Sequence, residues 1–253
     1  MNSLFLNPLN IHPDWKPFLS KEILDLITQI ELKIIKTDFT PSTKNVLRFF
    51  ELPLHSVKVV IIGQDPYPQI GAATGRAFEV GTLKSWNEPF RNVSLKNILR
   101  ALFKAYSGNV IKFNELKEKF DNEFPVLSPS KLFKHWENQG VLLLNTAFTC
   151  EPGKPASHKK IWKGFSLELL KFINNNSDNL TWFLWGNHAM EATKDLEIKN
   201  TIVSQHPMMC YYRPERKNDF LFGHINCFQK LQNEIDWTGF SFQNGFKSLG
   251  RLF

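Results

Sequence analysis

Residues 57–68 read VKVVIIGQDPYP, a stretch that changes character halfway. Val57–Ile62 is a short, almost continuous apolar run rich in β-branched residues, which suits a strand buried on both faces. Gly63–Pro68 then sets a glycine, an amide, a carboxylate and a phenol between that strand and two prolines. Gly63 permits backbone torsions closed to other residues, while Pro66 and Pro68 stiffen the loop. Asp65 is therefore expected at a strand end in a fixed direction, as a general base or electrostatic stabiliser. A turn in which Asp65 only caps neighbouring amides competes with that reading.

Three more runs of the same kind follow, at Val141–Leu144, Leu180–Trp185 and Thr201–Val203. Elsewhere the apolar period is helical. Ser20–Lys36 has Ile23, Ile27, Ile30 and Ile34 on one face and Ser20 as its cap. Ser94–Tyr106, Ser130–Asn138 (with Gly140 as a stop), Lys159–Asn174 and a shorter Asn187–Asp195 also read as helices. Alternation of strand and helix predicts an α/β fold with a central, mostly parallel four-stranded sheet flanked by helices. Ligands of such sheets sit outside the carboxyl ends of the strands. That rule selects Gly63–Pro68, Asn145, Gly186–Asn187 and Ser204–Pro207.

The 253 residues carry 31 Lys+Arg against 24 Asp+Glu, a formal charge of +7 that favours a polyanionic partner. Hydrophobic residues at 42% and charged residues at 22% exclude wholesale disorder. No apolar run reaches the roughly 18 residues of a membrane span. The opening MNSLFLNPLNIHPDWKP lacks the basic flank and apolar core of a signal peptide, so the chain is expected to be cytoplasmic, or nuclear in a eukaryote, and not secreted. Three cysteines, Cys150, Cys210 and Cys227, with no CxxC pair, suit a reducing compartment and offer no four-cysteine metal site. Neither metal nor organic cofactor is expected. No repeat or long linker divides the chain.

Other segments could also carry chemistry. Gln205–Pro207 (QHP) places His206 at a second strand end, although a lone histidine is often structural. Asn145 offers one acceptor and two donors, a match for a nucleobase edge or for a neighbouring loop. Gly153–Lys160 (GKPASHKK) brings Ser157, His158 and Lys159 before a helix start, a combination that favours phosphate but also describes a solvated, serine-capped helix. His206–Phe222 mixes Arg213, Arg216 and Lys217 with methionines and aromatics. Such a loop could grip a backbone and wedge into stacked bases, or simply anchor itself on the surface.

Taken together, VKVVIIGQDPYP, GRAFEV, VSLKNILRAL, GVLLLN, ASHKKIWKGF, FLWGNHA, QHP and the late IDW resemble the family 1 uracil-DNA glycosylases over most of the chain. The resemblance implies that family's α/β/α fold and the removal of uracil from DNA by base flipping, leaving an abasic site. It also implies roles. Asp65 would orient water and stabilise positive charge on the sugar, and neutral His206 would bond uracil O2 as the base leaves. Gln64 would touch the base through its backbone, Phe78 would stack on it, Asn145 would read its edge and Tyr67 would exclude a C5 methyl. Pro68, Ser94, Ser157, His158, Lys159, Gly186, Asn187 and Arg213 would face the DNA backbone.

The chain departs from the family at Pro68, where His is usual, at Asn187, where Ser is usual, and in HPMMCYY. There Met208 replaces a serine, Cys210 stands where a leucine wedge would fall, and Met209 or Tyr211 could substitute for it. Two further readings stay open: a glycosylase of altered base or strand specificity, and a catalytically weakened uracil- or DNA-binding protein. One domain is expected over 1–237, with 107–129 as an insertion that decorates the DNA-facing rim or, more simply, lengthens a connection, and 238–253 as a C-terminal extension. Expected partners are uracil-containing DNA, single- or double-stranded, and a proteinaceous glycosylase inhibitor. The terminal SLGRLF is expected to pack back on its own domain, and a sliding clamp bound through it is a weaker expectation. The protein is expected to be a monomer.

Overall fold

A computed structural model describes residues 3–177 and 179–240. Most of the expected extension, SLGRLF included, lies outside the described residues. Four strands, β1 (Val59–Gly63), β2 (Val141–Asn145), β3 (Thr181–Trp185) and β4 (Asn200–Ser204), form one sheet in the order β2-β1-β3-β4. The strands are all parallel and helices flank them, as the alternation of patterns requires. The helices are α1 (Lys21–Ile34), α2 (Thr43–Val46), α3 (Val93–Ser107), α4 (Phe113–Lys117), α5 (Pro129–Asn138), α6 (Lys159–Asn175), α7 (Asn187–Thr193) and α8 (Cys227–Lys230). None of the described helices is long and apolar enough to cross a membrane.

Close contacts divide the described residues into two compact units, one built from those up to 82 with 140–182 and 191–201, the other from 83–139 with 183–190 and those from 202 onward. In the first unit β1 and β2 pair residue for residue, from Val59 with Val141 to Gly63 with Asn145, and every residue of both is buried. The Ser20 side chain accepts from the Ile23 N–H and starts α1, whose Ile23, Ile27, Ile30 and Ile34 face inward. Aromatic rings fill the space beside them. Trp15, Phe18, Phe49, Phe50 and Phe165 meet with centroids 4.3–6.5 Å apart.

In the second unit Trp136, Trp185, Phe220, Phe228 and Trp237 form a comparable cluster. Residues 107–129 do more than lengthen a connection. Leu116, Phe120, Phe124 and Val126 are buried, with Phe120 against Trp86 and Phe124 against Phe103. Packing also continues past Trp237: Thr238 is fully buried and its carbonyl accepts from the Leu127 N–H at 2.9 Å.

One strand differs from expectation. β4 is exposed except at Ser204 and partly at Ile202, so it is not buried on both faces. It is an edge strand, and an apolar run as short as Thr201–Val203 does not distinguish the edge of a sheet from its centre.

Candidate active site

In the first unit the loop after β1 is tied down repeatedly. The Gln64 carbonyl accepts from the Ala147 N–H at 2.9 Å and the Thr146 hydroxyl at 3.1 Å, so a backbone contact from Gln64 to a ligand falls to its N–H. Pro66 O accepts from the Cys150 thiol at 3.5 Å, and Pro68 O from the Gly153 N–H at 2.9 Å. Between these ties, Asp65 Oδ2 accepts from the Ala156 N–H at 2.7 Å. Asp65 is half-buried, and loss of solvent raises its pKa. The Ala156 bond and the positive charge of Lys159 oppose that rise. The carboxylate is thus fixed through one oxygen and poorly hydrated, which suits a group that must act on water or on positive charge.

Asn145 is buried at the end of β2, directly across from Gly63. A Cβ on Gly63 would run into Asn145 Oδ1 and come within 2.9 Å of the Ala77 Cβ, so the glycine makes room for the amide. Tyr67 and Phe78 are half-buried. Phe78 and Ala156 are the two non-glycine residues with positive φ among the described residues, at 66° and 61°. Left-handed backbone at such residues costs on the order of 1–3 kcal/mol and tends to gather at functional positions. Here one such residue donates to Asp65 and the other carries the ring expected to stack.

The phosphate-side expectations divide. Ser157 and Lys159 are exposed at the start of α6, with Ser157 Oγ accepting from the Glu151 N–H at 2.8 Å. His158 is a correction. Its side chain is buried, with Nδ1 2.9 Å from Thr149 Oγ1, and Thr149 Oγ1 also accepts from Trp162 Nε1 at 2.8 Å. Adjacent residues at a helix start point in different directions, so His158 faces the core while its neighbours face solvent.

In the second unit Gly186 (φ +85°) follows β3, and its N–H donates to Ser204 O at 2.8 Å. A Cβ there would come within 2.7 Å of the His206 Cβ. His206 is half-buried, and its Nδ1 accepts from the Met208 N–H at 3.1 Å. Burial lowers its pKa, so the ring is neutral at pH 7. With Nδ1 accepting, the proton of the neutral ring lies on Nε2, which is then a donor.

Two residues not singled out from sequence hold this turn. Asn97 Nδ2 donates to Pro207 O at 2.7 Å, and Arg100 Nη1 donates to Asn97 Oδ1 at 2.9 Å. A polar residue among Leu95, Ile98 and Leu99 on the buried face of α3 was the available signal. Ser94 is half-buried in the first turn of α3, and Asn187 is exposed at the start of α7.

Beyond His206 the loop is organised by Asp219, which is 1% exposed. Its carboxylate accepts from the N–H groups of Tyr211, Leu221 and Phe222 at 3.2, 2.9 and 3.0 Å, and lies 3.5 Å from Arg216 Nη2. Arg216 also donates to Met209 O at 3.1 Å and lies 3.7 Å from the Tyr211 ring centre, with Arg213 at 5.1 Å. Tyr211 is therefore held against two arginines. Met208 and Met209 project, at 58% and 51% exposed. Cys210 is half-buried: its thiol turns back to Pro207 O at 3.1 Å, and burial pushes its pKa up to about 12, so little reactive thiolate is present at neutral pH.

Among the described residues no group of three or more His, Cys, Asp or Glu side chains could hold a metal ion. All three cysteines are free.

Comparison with known proteins agrees in kind. A family model described as the uracil DNA glycosylase superfamily matches residues 49–230. A uracil-DNA glycosylase of Corynebacterium glutamicum is 31% identical over 216 residues, covering 80% of this chain and 82% of its own. One from Borreliella burgdorferi is 35% identical over 208 residues, covering 76% and 83%. Among solved structures, the wild-type UNG of Nitratifractor salsuginis superposes with a TM-score of 0.62 at 26% identity, covering 78% of this chain and 84% of its own. A mimivirus UNG variant in complex with UGI gives 0.60 at 26% identity, covering 78% and 70%.

Proposed function

The chain belongs to the uracil-DNA glycosylase superfamily, and from that premise we propose that it excises uracil from DNA through Asp65 and His206. It hydrolyses the N-glycosidic bond of deoxyuridine and leaves an abasic site. The observation that carries the assignment is the Asp65 carboxylate, fixed through Oδ2 to Ala156 and deprived of full hydration. Its other oxygen orients the attacking water, and its charge stabilises the cationic sugar as the bond breaks. His206, neutral with its proton on Nε2, donates to uracil O2 as negative charge builds there.

Asn145 pairs with the uracil edge. Cytosine reverses that donor and acceptor pattern and would leave buried groups opposed, a stronger ground for rejection than shape. Tyr67 fills the space of a C5 methyl, Phe78 stacks on the base, and the Gln64 N–H contacts it. Pro68, Ser94, Ser157, Lys159, Gly186, Asn187 and Arg213 serve the phosphate side. The wedge is assigned to Met208–Met209 rather than Tyr211, because the tyrosine is already gripped by Arg216. Inserting an apolar side chain into the stack offsets the few kcal/mol of flipping a base.

The direct test is incubation with chelator present and end-labelled oligonucleotides holding one U, T or C, single- and double-stranded, followed by alkaline cleavage. Strand scission at U alone is expected, and its suppression by UGI would extend the likeness to the mimivirus complex. Intact oligonucleotides with retained binding would instead favour a weakened DNA-binding protein.

A further inference from the structure

Phe78 is bracketed by a buried ion pair. Arg76 Nη1 lies 2.9 Å from Glu79 Oε2, with the two side chains only 12% and 6% exposed. The same Glu79 oxygen accepts from the Thr74 hydroxyl at 2.5 Å, and Thr74 Oγ1 in turn accepts from the Arg76 N–H at 3.3 Å. Thr74, Arg76 and Glu79 thus close a ring of polar contacts around residues 77 and 78. Ala77, fully buried, is pinned from the other side through its N–H to Leu143 O at 3.2 Å on β2. What remains between these ties is Phe78, in a left-handed backbone conformation that a side-chain-bearing residue seldom adopts.

A buried ion pair is a poor device for raising stability, because desolvation of both charges cancels much of their attraction. It is better suited to selecting one conformation. An i,i+3 pair outside a helix, largely shielded from solvent and joined to a third side chain, over-determines the backbone that it spans. The segment it spans is the one carrying the strained aromatic residue. We infer that Arg76, Glu79 and Thr74 are positioning residues that hold the Phe78 ring in register for stacking on the extruded base. They touch no substrate and act through Phe78. This rests on the reading of Phe78 as the stacking residue.

The test is a double-mutant cycle read by the inhibition constant of free uracil, with affinity for abasic-site DNA and thermal melting measured alongside. Phe78→Ala should weaken uracil binding roughly tenfold or more, the effect expected of a lost base–aromatic stack. Glu79→Gln, which keeps an acceptor for Thr74 but removes the charge facing Arg76, should weaken it about fivefold, with abasic-DNA affinity unchanged. In the Phe78→Ala background the same Glu79→Gln change should have less than about a twofold effect. Should Glu79→Gln not fold, Thr74→Val carries the same cycle with a smaller effect. Full additivity with Phe78→Ala, or uracil binding by Glu79→Gln equal to that of the unaltered protein, would overturn the inference while leaving Phe78 as the stacking residue. Unchanged uracil binding by Phe78→Ala would overturn both.

Discussion

Asp65 illustrates how one environment serves chemistry at some expense to stability. Its pKa is raised by burial, so folding disfavours its ionised form at neutral pH. Asp65→Asn keeps an oxygen for the Ala156 N–H and removes the poorly solvated charge. Excision should therefore fall by at least about a hundredfold while the melting temperature holds or rises, measured by oligonucleotide cleavage and calorimetry on the same preparation. The glycines packed against Asn145 and His206 predict a different pairing of effects. Gly186→Ala must displace His206 and strain a left-handed residue, and Gly63→Ala must displace Asn145. Misplacement of a reacting group by about 1 Å costs on the order of a hundredfold. Gly186→Ala should thus lower kcat for uracil, whereas Gly63→Ala should also loosen discrimination against cytosine. Parallel U and C cleavage assays check both.

The segment from His206 to Phe222 behaves as a built element, although it contains little regular secondary structure. Asp219 gathers three backbone N–H groups, and Arg216 joins that carboxylate to Met209 O and the Tyr211 ring. If Met208 and Met209 form the wedge, truncating both to Ala should reduce activity on duplex substrate by about tenfold or more and spare single strands, since only the duplex must be unstacked. Tyr211→Ala should instead loosen the whole loop. Equal losses on single and double strands after the methionine change would remove the wedge assignment. The residues of this element were legible as apolar and basic, but their directions were not. Nothing in MMCYY distinguishes a thiol turned inward from methionines turned outward.

Residues 107–129 bear on the stability of the second unit as a whole. Phe120 is buried against Trp86, so Phe120→Ala should cost roughly 3–5 kcal/mol, as core Phe→Ala changes do. A connection that only lengthened the chain would tolerate the change with almost no shift in melting temperature. Acid should weaken the protein through its buried histidines. Burial lowers the pKa of both His158 and His206, so the unfolded chain takes up protons first as pH falls below about 6.5. Stability should decline from pH 7 toward pH 5, and His158→Asn should flatten that slope in thermal melts. Asp65 works with the opposite sign, but only in the carboxylate range at lower pH.

The strands, the helices α1, α3, α5, α6 and α7, and the strand-end positions of Asp65, Asn145 and His206 were readable from local pattern, whereas the short α2, α4 and α8 were not. Period and turn chemistry are properties of neighbouring residues, and a parallel sheet delivers its strand ends to one edge whatever the details. β4 as an edge, the inward turns of His158 and Cys210, the roles of Ala156 and Asn97, and the closed ring around Phe78 were not. The roles of Ala156 and Asn97 depend on contacts between segments far apart in the chain, Asp65 with Ala156 and Asn97 with Pro207, while His158, Cys210 and the ring around Phe78 turn on side-chain directions toward partners within nine residues. No local period encodes such contacts, because the partner's position exists only once the chain has folded.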